Sequence, residues 1–433
     1  MGQSTGDRAF RIVGRRLLPL LGVCYFFSYL DRTAVSVAAL TMNQAIGISA
    51  AAFGLGAGLF FIGYFVFEVP SNLIMHRVGA RVWMARIMVS WGLIAVLQAF
   101  VWDEASFYTV RLLLGIAEAG FFPGIILYFT YWFPASQRAR VVAWFFLAVP
   151  LSTALGAPVG GLLLQINAFG LQGWQWMFII EGVFTVILGV VLFFVLTDRP
   201  EHARWLPDKE RNWLISVLKK ERAEIESNHS MSALKSLTNP RVLLLSFVYF
   251  TVVFGLYGLG LWLPTIIKSS LQLTDNLVVT LLTAAPYAVG AVAIVIAGKV
   301  VDKRGRPAWF TGAFLAIGGI ALAGTALLTS IPWIGYAGMF VCAIAIVSTF
   351  PGFWKLPTAF LTGGAAAAGI AAINALGNIA GFAGPSLVGW VTERFGEAKW
   401  GLVGIGIVMV LGAIVVVVTE GRSKQPSTAR IDN

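Results

Sequence analysis

Two charged side chains, Asp31 and Arg32, stand in the middle of the first long apolar run of this sequence, 17–40. A charge at the centre of a membrane helix costs roughly 2.5–3.5 kcal/mol on insertion scales, and it is kept where it meets a water-filled cavity or a partner. Neighbours on a helix point about 100° apart, so Asp31 and Arg32 cannot face each other. Arg32 shares its face with Tyr25, Ser28, Tyr29 and Ser36. That hydroxyl-rich face reads as the lining of a polar cavity. The plainer alternative is a pair of charges fixed by neighbouring helices, with no ligand. A second pair, Arg111 and Glu118, is seven residues apart in another apolar run. Seven residues are nearly two turns, which places both on one face about 10 Å apart along the axis. An arginine grips a carboxylate bidentately and never gives up its charge. A buried carboxyl gains or loses its proton as neighbouring charge changes. The chemistry implied is the binding of an anion by Arg32 and Arg111, linked to protonation of Asp31 and Glu118. A permanent Glu118–arginine pair is the structural alternative.

Further residues extend this set. Lys355 sits beside Trp354 in the tenth apolar run, where it either meets a second carboxylate on a dianion or snorkels to the membrane surface. Asn374 and Asn378 share a face of a glycine-rich run and could bind substrate or tie helices together. Asn374 is taken as the substrate ligand and Asn378 as packing. Tyr64 and Trp354 could form an aromatic wall. Glu68 and Glu181 are also intramembrane or close to it, as gate or interhelix contacts.

The elements that must hold these residues are membrane helices. Of 433 residues 58% are hydrophobic and only 12% charged, half the usual share for a soluble domain. Twelve apolar runs are long enough to span a bilayer. They cover 17–40, 52–75, 82–102, 107–133, 139–164, 175–197, 241–267, 277–300, 308–330, 332–357, 363–391 and 400–419. The expected fold is an all-α membrane protein of 12 transmembrane helices in two pseudo-symmetric six-helix halves. Residues 1–197 form the N-terminal bundle, 198–240 a cytoplasmic linker with a short amphipathic helix around Trp213, Leu214, Val217 and Leu218, and 241–433 the C-terminal bundle. No cleavable signal is expected before the first run.

With the N-terminus in the cytoplasm, 25 lysines and arginines fall inside and only Lys268, Arg394 and Lys399 outside; Arg32, Arg111 and Lys355 lie within the membrane. That bias fixes the orientation, with both termini cytoplasmic in a cell membrane. It also accounts for the net charge of +11 without a nucleic-acid partner. Cys24 and Cys342 lie in apolar runs and suit buried thiols, not a disulfide or a metal site. His76, His202 and His229 sit in or beside loops. No metal, cofactor or enzyme chemistry is expected from such a set, and the chain is expected to act as a monomer. The halves repeat at a nearly constant offset. Gly79 and Gly305 are 226 apart, Pro158 and Pro385 are 227 apart, and Phe122-Pro123-Gly124 returns 228 later as Phe350-Pro351-Gly352. Two such halves with a site between them are a transporter architecture.

These features resemble the major facilitator superfamily. The loop Gly298-x-x-x-Asp302-Lys303-x-Gly305-Arg306 matches its G-x-x-x-D-[RK]-x-G-R signature, and the copy after the second run departs from it at Asn72 and His76. Within the superfamily the chain is similar to the anion:cation symporters. The likeness rests on Tyr29-Leu30-Asp31-Arg32, Glu68-Val-Pro70-Ser71-Asn72, Arg111 with Gly115 and Glu118-Ala-Gly120, Gly173-Trp174-Gln175-Trp176 with Glu181-Gly182, Phe353-Trp354, Leu356-Pro357 and Asn374. The resemblance implies alternating-access import of a small organic carboxylate, such as a sugar acid, tartrate, phthalate or nicotinate, together with protons. A proton-driven drug antiporter shares the fold and carries G-x-x-x-G-P-x-x-G-G in the fifth span. Here Ser152 replaces the leading glycine and Ala157 is an extra residue before Pro158.

Overall fold

The computed structural model describes residues 5–134, 137–138, 141–142, 145–227, 239–327, 331–359 and 363–420. The described chain is almost wholly helical, with one isolated bridge between Ala168 and Leu171. The first half holds α1 (Thr5–Ile46), α2 (Ala50–Val78), α3 (Ala80–Leu97), α4 (Glu104–Glu118), α5 (Phe121–Trp132), α6 (Ala148–Leu163) and α7 (Gly173–Val195). A connecting helix, α8 (Asp208–Ser227), follows. The second half holds α9 (Pro240–Gly260), α10 (Leu263–Ser270), α11 (Asn276–Arg304), α12 (Pro307–Leu327), α13 (Pro332–Phe353), α14 (Lys355–Thr358), α15 (Gly363–Asn378), α16 (Ala380–Phe395) and α17 (Lys399–Glu420). Ten crossings are helices, or broken helices, apolar and long enough to span a membrane. Asp31 and Arg32 lower the hydropathy of α1, and α6 is a shorter apolar helix. These two complete the twelve.

Sequence-local signals set the ends. Ser49 caps α2 by accepting from Ala52 N at 3.1 Å. Asp103 and Ser106 form a reciprocal capping box at α4. Gly305, in the left-handed region at φ 62°, ends α11. The break between α4 and α5 matters most for function. Gly120 lies at φ 86°, and a Cβ there would stand 2.3 Å from Ser71 Oγ. The chain therefore turns where only glycine fits, and Glu118 becomes the last residue of α4.

The packing repeats with the sequence. α3 lies on α7 and α12 on α17; α2 lies on α4 and α11 on α13. Between the halves the main contacts are α2 with α16 and α6 with α11, again equivalent pairs. One end of the bundle carries the start of α1 and the finish of α17. The opposite, far end carries the α1–α2 turn and the α16–α17 turn. At the far end the halves are joined. Glu393 accepts from Ser49 Oγ at 2.7 Å and Ala51 N at 2.9 Å, and Lys268 donates to Leu40 O at 3.2 Å.

The connecting helix is fastened to the first half. Leu214 and Leu218 are buried. Trp213 packs edge-on to Phe10 at 5.4 Å, Arg8 pairs with Glu210 at 3.2 Å, and Arg138 pairs with Glu221 at 3.0 Å. Within the expected linker, residues 228–238 lie outside the described residues, as do Arg422, Lys424 and Arg430 of the tail. Cys24 and Cys342 are both buried free thiols.

Candidate functional site

Arg32 is the centre of the buried polar cluster. Its Nη2 donates to Glu118 Oε1 at 2.6 Å and its Nε to the same oxygen at 2.9 Å. Ser28, one turn before Arg32 on α1, donates to that oxygen at 2.7 Å. Three donors thus converge on Oε1, while Glu118 Oε2 is buried with no partner among the described residues. Glu118 is wholly enclosed. The helix break at Gly120 delivers it to α1. The guanidinium of Arg32 also lies over the rings of Tyr64 at 4.9 Å, Tyr29 at 5.3 Å and Phe60 at 5.3 Å. Desolvated cation–π contacts of this kind are worth up to about 2 kcal/mol. Across the interface, Arg32 Nη1 donates to Tyr257 OH of α9 at 3.2 Å. Arg32 is therefore the point where the charged first half meets the second.

Arg111 lies behind this pair, only 1% exposed. It makes weaker contacts, donating to Gln98 Oε1 at 3.4 Å and to Ala57 O at 3.3 Å, with Phe60 5.1 Å away and Nε unpartnered. It makes no ion pair among the described residues. Gly115 brings α4 against α2, since a Cβ there would sit 1.9 Å from Phe60 O. Asp31 points away from Arg32, as helical geometry requires, and accepts from Trp91 Nε1 of α3 at 3.0 Å. Its Oδ1 has no partner among the described residues.

The remaining residues singled out in the sequence fall in three places. Tyr29 and Tyr64 join the Arg32 cluster. Asn374, buried on α15, donates to Glu68 Oε1 of α2 at 3.4 Å, another link between halves. Trp354 packs with Tyr249 at 5.0 Å and with Phe146 at 6.2 Å, and Phe146 stacks on Phe350 at 5.7 Å. These rings pack together on the side of the chain termini. Lys355 is not brought into the cluster: its side chain is 42% exposed and pairs with Asp302. The second reading of its position, reaching to the membrane surface, describes this placement. Tyr257, Gln98 and Trp91 were not singled out, yet each holds one of the charged groups. Tyr257 could have been found from the repeat, because it stands 226 residues after Asp31, the offset of Gly79 and Gly305. Gln98 and Trp91 carry no such signal.

Residues 21–385 match the family model of the Major Facilitator Superfamily. The chain belongs to that superfamily. It is a multi-pass membrane transporter of solutes, not an enzyme. The chain is 46% identical over 423 residues to a protein of Agrobacterium vitis described as "Putative tartrate transporter", covering 96% of each. It is 39% identical to a "Quinolone resistance transporter" of Acinetobacter baumannii, covering 98% of this chain and 97% of that one. Among solved structures it is similar to the xylose transporter XylE from E. coli in a partially occluded inward open conformation. There the TM-score is 0.73 at 15% identity, over 93% of this chain and 98% of the other. That likeness speaks to fold.

Proposed function

We propose that this transporter imports a small organic carboxylate anion, tartrate or a close relative, together with protons by alternating access. The observation that carries the reading is the Arg32–Glu118 pair, beside a second buried arginine with no ion pair of its own among the described residues. A buried pair is costly to strip of one partner, about 3–5 kcal/mol. A carboxylate that replaces Glu118 at Arg32 supplies the lost partner. Protonation of Glu118 then removes the charge that would repel it. Arg32 and Arg111 bind the anion, with Tyr29, Tyr64, Trp354 and Asn374 around it, and Asp31 and Glu118 carry the protons. Arginine cannot serve as the proton carrier. The loaded cavity, neutralised, closes at one end and opens at the other as the halves 1–197 and 241–433 rock about it. The lysine and arginine bias supports cytoplasmic chain termini in a cell-membrane protein.

The similarity to a quinolone resistance transporter supports a second reading, a proton-driven drug antiporter. The test is uptake by purified protein in proteoliposomes under an imposed pH gradient. Labelled tartrate should accumulate and the gradient should set its level. Tartrate that stays at the empty-vesicle level, with norfloxacin moving against the gradient, would establish the antiporter instead.

A further inference from the structure

Glu181 is a buried acid that the transport cycle above leaves unused. It lies in the middle of α7, 6% exposed, with Oε2 unpartnered among the described residues. Together with Thr33 and Ser36 of α1, Thr153 of α6 and Thr283 of α11 it lines a small pocket whose void matches a single water. Thr283 belongs to the opposite half, so the pocket straddles the seam between α6 and α11. That seam is tight: a Cβ on Gly161 of α6 would stand 2.0 Å from Thr280 Oγ1 of α11.

No cation meets Glu181 among the described residues. On α1 the charge that acts on it is Asp31, another acid. Arg32 is turned to Glu118, and Arg111 of α4 is held by Gln98 and Ala57. The packed face of α3 offers Trp91 and Gly92, neither charged. α6 has no ionisable residue, and α11 has only Tyr287 before its last turns. Glu181 is the one ionisable residue of α7 itself. Taking an isolated carboxylate anion out of water is far more costly than taking the neutral acid. The same anion is tolerated when the far end is open and water fills the seam.

We propose that Glu181 is a proton-dependent latch on the α6–α11 seam: the halves close there only over a protonated Glu181. The proton comes from far-side water. A hydronium O–H bond breaks, the O–H bond of the Glu181 carboxyl forms, and a neutral water is left. Reopening to the far side lets the reverse transfer occur. The latch rests on the alternating-access reading, but not on the identity of the substrate or on the roles of Asp31 and Glu118.

The test reads the seam directly. In full-length protein with Cys24→Ala and Cys342→Ala, Thr280→Cys places a thiol at a position that is wholly buried when the seam is shut. Its rate of alkylation by an impermeant maleimide, taken relative to denatured protein at each pH, cancels the ionisation of the thiol itself. The relative rate should rise with pH in the Glu181 protein, by at most about tenfold per pH unit, as one titrating group allows. Glu181→Gln, a mimic of the protonated acid, should stay protected at every pH, and Glu181→Leu should do the same without a polar group. A flat profile with Glu181 present overturns the latch, as does an equal slope in both neutral variants. Protection restored by sodium at high pH, only when Glu181 is present, would make the pocket a metal-cation site and overturn the proton assignment. A flat profile in protein that still accumulates tartrate under a pH gradient sinks the latch and leaves the proposed transport intact.

Discussion

The two halves share a chain path but not an interior. At the 228-residue offset of the repeat, Arg111 and Glu118 correspond to Met339 and Ile346. At the 226-residue offset, Asp31 corresponds to Tyr257 and Glu68 to Ile294. The first half buries the acids and both arginines near the interface. The second answers with rings and hydroxyls: Tyr249, Tyr257, Tyr287 and Trp354. The backbone differs at the same place. α4 and α5 are broken at Gly120, whereas the equivalent stretch of α13 runs unbroken through Ser348 to Phe353. A helix end is what brings Glu118 to Arg32, and the second half needs none because it has no charge to deliver. The pseudo-symmetry is therefore mechanical and the chemistry is one-sided. In the proposed cycle the first half binds and titrates, while the second half supplies a wall and a lever.

The largest effects should come from removing the first half's cations. Arg32→Ala leaves Glu118 buried with its Oε1 short of two donors, and Arg111→Ala removes the other buried cation. Each should weaken tartrate binding by at least about 100-fold, the scale of breaking a buried charged pair. Arg111→Lys should fail as well, since a point charge does not reproduce a planar fork. Equilibrium binding to detergent-purified protein checks this. Near-wild-type affinity in both alanine variants would move the anion site elsewhere. The acids should separate binding from driving. Glu118→Gln and Asp31→Asn should keep counterflow exchange, which needs only the loaded carrier to move. They should lose accumulation under a pH gradient, which needs the proton released and the empty carrier returned. If both neutral variants concentrate substrate to the wild-type level, the coupling acids are not these two.

The second half should respond more mildly. Tyr257→Phe keeps the ring and removes one hydrogen bond to Arg32. A neutral acceptor on a charged donor is worth roughly 1.5–3 kcal/mol, and water in the opened cavity would recover part of it. Affinity should fall about tenfold, with the pH dependence of uptake unchanged. A loss as large as that of Arg32→Ala would contradict the one-sided division. So would an altered pH profile.

Much of this division was legible in the sequence. Polar residues inside apolar runs are conspicuous because the bilayer penalises them, so the charged cluster could be read one residue at a time. The twelve apolar runs set the helix count, and the repeat offset pointed to the paired halves. Helical angles alone separated Asp31 from Arg32, and the structure turns them to Trp91 and Glu118 respectively. What could not be read was who meets whom across helices. Glu118 was expected near an arginine, and two were available. Its choice of Arg32 depends on the turn at Gly120 and on the approach of α2 to α4 at Gly115. Asn374 was legible as a polar residue in a glycine-rich helix, but its contact with Glu68 lies between halves far apart in sequence. Tyr257 carries no insertion penalty large enough to mark it, and only its repeat offset from Asp31 points to it.

The smallest effect is expected at Lys355, the one intramembrane cation the sequence places in the second half. If it met a second carboxylate of the substrate, the charge would not be one-sided. Lys355→Ala would then weaken dianions such as tartrate far more than monoanions. Its position argues against that. Lys355 opens the short helix α14, just past the end of α13, where a long side chain can carry its ammonium to the surface. The ammonium pairs there with Asp302 in the last turn of α11, and that carboxylate is 69% exposed. Exposed pairs of this kind contribute about 0–1 kcal/mol and are screened by salt. Lys355→Ala should therefore change the affinity for tartrate and for a monoanion by the same factor, about fivefold or less. Asp302→Asn should match it, because either change removes the same pair. Binding isotherms for one dianion and one monoanion, in both variants and at two salt concentrations, decide the matter. A loss confined to the dianion, present in Lys355→Ala and absent in Asp302→Asn, would place the lysine at the substrate and give the second half a charge of its own.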